Sequence, residues 1–162
     1  MTTADSGRHE TVEERADRNW DELLQELRVM QTGAQILTAF LLAVAFQPRF
    51  TELDPLQLAL YVTLVVLAAV ATVLALTPVG LHRMLFHRRL KAELVAAAAV
   101  ILKVELGVIG LLTIGVTALI LDFALGRTAS ILALGIGMPL IALLWLLLPR
   151  RLRRLSRARR SR

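Results

Sequence analysis

The sequence contains no cysteine, and only 5% of its residues are aromatic. The absence of cysteine excludes disulfides, thiolate metal sites and thiol catalysis. The chain also lacks a phosphate-binding glycine loop, an HExxH motif and a GxSxG motif. We therefore predict no catalytic residue, no metal site and no cofactor, and we expect that the protein is not an enzyme.

Apolar residues are abundant and are gathered into long runs without charge. They make up 56% of the chain, and the mean hydropathy is +0.63, whereas soluble domains are roughly 45–50% apolar. Runs of this length can cross a hydrocarbon core of about 30 Å as helices. The sequence predicts an all-α, polytopic membrane protein. Its expected core is a bundle of four transmembrane helices, preceded by a cytoplasmic or interfacial amphipathic helix.

The runs and their polar boundaries divide the chain into four parts. We predict a disordered amino terminus, an amphipathic helix, a transmembrane domain and a basic cytoplasmic tail, at residues 1–10, 11–28, 29–148 and 149–162. The expected spans are 29–46, 56–76, 92–125 (with an apolar core at 106–121) and 129–148. Thr77-Pro78 and Pro149 are expected to end the second and fourth spans, and Gly126 to stop the third helix.

The amphipathic helix has a recognisable start and one apolar stripe. Thr11 followed by Glu14 fits a capping box. Trp20, Leu23 and Leu27 recur at helical spacing. Such a helix fits either the membrane interface or a partner protein.

The distribution of basic residues predicts the orientation. Sixteen of the 19 Arg and Lys residues lie before residue 29, in the loop after the second span or in the tail, and two (Arg49, Arg127) lie in the other loops. The positive-inside rule then places both termini in the cytoplasm. We expect a multi-pass protein of the cell membrane.

Two stretches resemble a known family. They are RADRNWDELLQELRVMQTGAQIL at 15–37 and PVGLHRMLF at 78–86. The sequence is similar to an uncharacterised family of small bacterial four-helix integral membrane proteins, over roughly residues 10–127. The resemblance implies the same topology and supplies no reaction, although some relatives are loosely labelled as sodium–proton antiporters.

Polar residues at the start of the first span form a stripe. Arg28, Gln31, Thr32 and Gln35 share one helical face over two turns. Polar groups in hydrocarbon are costly and seek partners. We interpret the stripe as part of a helix-packing network, with a polar pathway or an interfacial position as the alternatives.

Lys103 and Glu105 interrupt the third helix. They are two residues apart, so they point to different sides of it. We expect Lys103 to reach the inner headgroups and Glu105 to meet Arg28 or the amides of Gln31 and Gln35. The alternative is that Glu105 carries protons.

Further basic residues and histidines are expected to contact lipid headgroups. His82 and His87 are five residues apart, which is a poor spacing for a metal site. Basic residues near a membrane attract anionic lipids, and interleaved aromatics that would favour nucleic-acid binding are missing. The candidate headgroup contacts are His82, Arg83, Arg88, Arg89, Lys91, Arg150, Arg151, Arg153 and Arg154.

Two functions fit this sequence. The favoured one is a non-enzymatic membrane scaffold or interaction protein, whose amino-terminal helix meets a partner or the membrane. The alternative is a small proton- or cation-transporting protein, similar to a sodium–proton antiporter, or a channel subunit. The expected partners are a bilayer with anionic headgroups, and a second copy or another membrane protein.

Overall fold

The protein is all-helical in a computed structural model, which describes residues 11–85 and 91–151. Four long helices follow one another, and no strand occurs in these two ranges. All four are long and apolar enough to cross a membrane, the fourth when its continuation to Arg151 is included. They are α1 (Val12–Val44), α2 (Pro55–Leu85), α3 (Lys91–Leu125) and α4 (Arg127–Ala142), with a 3-10 turn (Pro48–Glu52) before α2 and a π-helical segment (Leu143–Leu147) after α4.

The predicted amphipathic helix and first span are one continuous helix. The predicted capping box begins it: the Glu14 N–H donates to the Thr11 hydroxyl at 3.2 Å, and the Thr11 N–H donates to the Glu14 carboxylate at 2.8 Å. The bond from Thr11 holds the pKa of the Glu14 carboxyl below its usual value. The helix is not interrupted at Gly33 and continues to Val44.

The buried faces of α1 and α2 repeat every seven residues. On α1 the most buried apolar side chains are Leu27, Ala34 and Leu41; on α2 they include Tyr61, Ala68 and Ala75. A seven-residue repeat keeps one seam facing a neighbouring helix along its whole length. The two helices run antiparallel and pack along this seam.

Three contacts fix how α1 and α2 are aligned. The Tyr61 hydroxyl donates to the Leu41 carbonyl at 3.1 Å near one end. Leu27 and Ala75 meet in an apolar cluster with Leu102 of α3. The rings of Trp20 and His82 stack at the other end, with centroids 5.0 Å apart. The amphipathic stripe predicted around Trp20 is thus the beginning of the same seam.

Helix α3 is the centre of the molecule, because α1, α2 and α4 all pack on it. Gly115 faces Leu64 of α2, and an added Cβ would lie 2.4 Å from that side chain. Gly137 of α4 rests on Ile114 in the same way, at 3.2 Å. Because glycine has no side chain, the helix backbones can approach closely at these two points.

Two prolines expected to end spans lie inside helices instead. Pro78 is buried within α2, which continues to Leu85. Pro149 lies in helical backbone that runs on to Arg151. The π-helical segment lies between Pro139 and Pro149, where the Leu148 N–H donates to the Leu143 carbonyl. Proline has no backbone N–H to donate, and its ring crowds the preceding helical turn. Tertiary packing and the wider π-helical turn compensate for these two effects.

The turn between α3 and α4 is a single residue. Gly126 has φ +93°, a conformation that L side chains rarely adopt. It stops α3 as predicted, and α4 begins at Arg127. The side of the molecule with this turn and the 3-10 turn is called the hairpin side below. The opposite side, with Thr11 and Arg151, is called the terminal side.

Candidate functional site

Glu105 is the most unusual side chain in the described part of the molecule. It occupies the buried seam of α3, in a seven-residue series with Ala98 and Leu112, and all three are 0% exposed. Neither of its carboxylate oxygens has a hydrogen-bond partner among the described residues. A carboxyl group buried without partners carries an uncompensated desolvation cost.

The helix register shows what lies at the height of Glu105. The cluster of Leu27, Ala75 and Leu102 sets the three helices at one level. Glu105 follows Leu102 by about one turn, which corresponds to the level of Gln31 on α1 and of Ala71 on α2. Ala71 is 0% exposed. The methyl side chain of Ala71 offers the carboxyl no hydrogen-bond donor.

The expected ion pair between Glu105 and Arg28 is not formed. Arg28 is exposed, whereas its neighbour Leu27 is buried. Successive helical residues point about 100° apart, so the seam position of Leu27 directs Arg28 away from α3. Glu105 accepts no bond from the Gln31 or Gln35 amides either.

The rest of the predicted polar network is spread over the surface of α1. Gln35 and Thr32 are exposed, and Gln31 is half-buried. The Thr32 hydroxyl donates to the Arg28 carbonyl at 2.9 Å, within its own helix. Of the six predicted residues, the structure buries Glu105 alone.

Lys103 points out of the helix bundle into a groove between α1 and α3. The groove has a volume of about 480 Å³, and Val29, Met30 and Leu106 form part of its wall. Glu26 lies in the same groove. Lys103 and Glu26 are both exposed. Within the described residues neither one takes part in a salt bridge.

Only some of the residues expected to contact headgroups lie in the described ranges. His82 stacks on Trp20, and Arg83 is exposed in the last turn of α2. Lys91 begins α3, and Arg150 and Arg151 are exposed at the end of the last helix. The other candidates, Arg88, Arg89, Arg153 and Arg154, lie outside the described residues, as does His87.

The first part of α1 presents an acidic surface, which the sequence analysis did not identify. Residues 11–28 contain six acidic and three basic residues, although the whole chain has a net charge of +6. Asp21, Glu22 and Glu26 are all exposed there. Tallying charge by segment, rather than counting Arg and Lys alone, would have revealed this surface.

The hairpin side carries an ion cluster that also escaped prediction. Arg127 bonds Asp54, which precedes α2, and lies 3.3 Å from Asp122 at the end of α3. Asp54 also accepts the backbone N–H groups of Leu56 and Gln57 at 2.8 Å, as an N-cap. Residues 54 and 127 are 73 positions apart, so only the tertiary fold brings them together.

The charge of Asp54 should stabilise the fold in a pH-dependent way. The Gln57 backbone bond and the Arg127 guanidinium hold the pKa of Asp54 below the ordinary 3.8. Its contribution is then fully present above about pH 4 and is lost as the pH falls through the lowered pKa. We expect Asp54→Asn to lower the thermal midpoint modestly at pH 7, since both partners are half-exposed.

The comparison is made by thermal unfolding in detergent between pH 7 and pH 3. The gap between wild type and Asp54→Asn should close as the pH falls. Arg127→Gln is the matched variant and should reduce the same pH dependence. A gap that stays constant down to pH 3 would show that the charge of Asp54 contributes nothing.

Within residues 11–85 and 91–151, no group of three or more His, Asp or Glu side chains could hold a metal ion.

The chain belongs to DUF6328, a family of unknown function, whose model matches residues 9–149. The predicted resemblance to an uncharacterised family is therefore confirmed, and the matched range extends beyond 10–127 to include α4. No curated protein and no solved structure matches the chain.

Proposed function

We propose that the protein crosses the cell membrane four times, with the terminal side in the cytoplasm. Lys103 and Asp122 are 19 residues apart on α3, about 28 Å along a helix. This spacing fits a hydrocarbon core of about 30 Å. Apolar side chains such as Ile36, Val73 and Ile136 are at least 65% exposed on three different helices, as lipid-facing side chains would be. The excess of Arg and Lys on the terminal side supports the orientation.

Within that topology, the protein acts as a non-enzymatic scaffold that holds a partner protein at the membrane surface. The observation that carries this proposal is that the amino-terminal part of α1, residues 12–28, continues the first span as one helix. This part is called the α1 extension. The Trp20–His82 stack and the Leu27 cluster fix this extension to α2 and α3. A helix held in this way presents one constant surface to the aqueous phase.

The charge of that surface favours a partner protein over the inner leaflet. Interfacial helices that bind anionic lipid carry Lys and Arg on the polar face. The α1 extension instead exposes acidic residues such as Asp21 and Glu22, which anionic headgroups repel. Its continuity with the first span also directs it away from the membrane plane. The complementary partner is a protein with a basic surface.

A photo-crosslinking amino acid placed at Asp21 or Glu22 in living cells tests this proposal. We expect one discrete adduct from these positions, shared between them and identifiable by mass spectrometry as a single protein. Val62 is the matched control, because it is 51% exposed but lies on a span. The proposal fails if Asp21 and Glu22 give no adduct, or give the same products as Val62.

A second candidate function is proton or cation transport through Glu105. The observation that favours it is the complete burial of a carboxyl group with no hydrogen-bond donor. Acidic residues inside membrane spans often bind transported protons or ions. Because residues 11–85 and 91–151 contain one carboxyl group of this kind, transport would require an oligomer.

Flux measurements in proteoliposomes separate the two functions. If the protein transports, a pH or sodium gradient should drive flux through the wild type, and Glu105→Gln should reduce it to the rate of protein-free vesicles. Glu93→Gln, which removes an exposed carboxyl group on the same helix, should leave the flux unchanged. Wild-type protein that gives no flux above empty vesicles would remove this second function.

A further inference from the structure

The groove around Lys103 has its charges in a defined order along the membrane normal. Leu27 and Leu102 meet in one cluster, and α1 and α3 run in the same direction. Glu26 therefore lies one residue closer to the cytoplasm than that level, and Lys103 lies one residue closer to the hydrocarbon. The difference is two helical rises, or about 3 Å. Leu106 lies a further turn toward the hydrocarbon.

This order matches the chemistry of one kind of lipid. In an ethanolamine phospholipid, the acyl chains are joined through the glycerol to a phosphate, and the ammonium group follows on the water side. An acyl chain fits against Val29, Met30 and Leu106, and a phosphate fits the ammonium of Lys103. The lipid ammonium then lies at the level of the Glu26 carboxylate.

Given the membrane insertion proposed above, we infer that the groove between α1 and α3 binds a phospholipid with a primary ammonium headgroup. Lys103 binds the phosphate and Glu26 binds the ammonium. Their charges are available because neither takes part in a salt bridge within the described part of the chain. The charges of an ethanolamine lipid complement both residues at once.

Two other lipid classes fit this groove less well. An anionic glycerol lipid offers a phosphate to Lys103 but has no cation for Glu26, and its negative charge lies close to that carboxylate. A choline lipid has a quaternary ammonium without N–H groups, so it cannot donate a hydrogen bond to Glu26. The pairing of Lys103 with Glu26 therefore selects for the primary ammonium.

Lipid titrations of the full chain in a neutral detergent test the inference. The probes are dioleoyl lipids with ethanolamine, choline or glycerol headgroups, and binding is followed by native mass spectrometry and by the unfolding temperature. We expect the ethanolamine lipid to bind about fivefold more tightly than either of the others, as an exposed charge pair allows.

Three variants assign the two charges. Lys103→Gln should weaken binding of all three lipids by about fivefold, and Lys103→Arg should retain it. Glu26→Gln should abolish the preference for ethanolamine while leaving the glycerol lipid bound. Glu93→Gln is the matched control, because Glu93 is exposed on α3 but does not line the groove, and it should behave as wild type.

Equal affinity for the three lipids, or tightest binding of the glycerol lipid, would overturn the inference. Unchanged binding by Lys103→Gln would also overturn it. Loss of the unfolding transition in a variant is recognised separately by circular dichroism, and the retained binding of Lys103→Arg then carries the test. A failure of membrane insertion would appear earlier, as protein that does not reconstitute into vesicles.

Discussion

Replacing Glu105 with leucine is expected to stabilise the protein by about 1–3 kcal/mol. The wild-type carboxyl is 0% exposed and has no donor for either oxygen among the described residues. Leucine removes that unsatisfied group and fits the apolar series that contains Leu112. The free energy of unfolding is measured by denaturant titration in mixed micelles, at a pH where wild type unfolds reversibly.

Two further variants make this result interpretable. Glu105→Gln keeps the size of the side chain and still buries an unsatisfied polar group, so it should recover much less stability than leucine. Glu93→Leu, an exposed position on the same helix, should change stability by less than about 0.5 kcal/mol. If Glu105→Leu instead destabilises the protein, the Glu105 carboxyl has a stabilising partner, and its assignment as an unsatisfied buried group is wrong.

A stability gain at Glu105 would also bear on function. Proteins retain costly groups where activity needs them, and stabilising replacements there often reduce activity. A Glu105→Leu protein that is more stable but has lost flux would favour the transport function. A more stable protein with unchanged crosslinking at Asp21 would show that the α1 extension works independently of the buried carboxyl.

The second large effect is expected where α4 meets α3. A Cβ added at Gly110 would lie 2.7 Å from Cζ3 and 2.9 Å from Cη2 of the Trp145 ring. A rigid ring cannot bend away as a flexible side chain could, so the π-helical segment that carries Trp145 must shift. We expect Gly110→Ala to destabilise the protein by about 1–3 kcal/mol, measured by the same denaturant titration.

Gly107 provides the matched control one turn earlier on α3. Nothing lies within 4 Å of a Cβ added there, and alanine is a better helix former than glycine by roughly 1 kcal/mol. Gly107→Ala should therefore be neutral or stabilising. Trp145→Leu should rescue part of the loss in Gly110→Ala, because the two positions are in contact. Equal effects of both glycine replacements would contradict the close packing of α4 on α3.

The sequence by itself determined that the chain has four long apolar helices and approximately where α2, α3 and α4 begin. A long apolar run that lies in lipid must form a helix, because a helix satisfies its backbone hydrogen-bonding groups internally. Local chemistry also determined the start of α1, through Thr11 and Glu14, and the stop at Gly126. These features depend on residues within a few positions of one another, so they can be predicted from one sequence.

Only the tertiary structure decided which polar groups meet. Glu105 was expected to meet Arg28 or the amides of Gln31 and Gln35, but the α1 seam at Leu27 directs Arg28 outward, and the carboxyl has no donor among the described residues. The contact of Asp54 with Arg127 was not predicted, because only the fold brings these residues together across 73 positions. Pro78 was expected to end a span, yet packing keeps it inside α2. Side-chain partners depend on how helices rotate and align, and one helix's sequence pattern does not specify the facing surface of another.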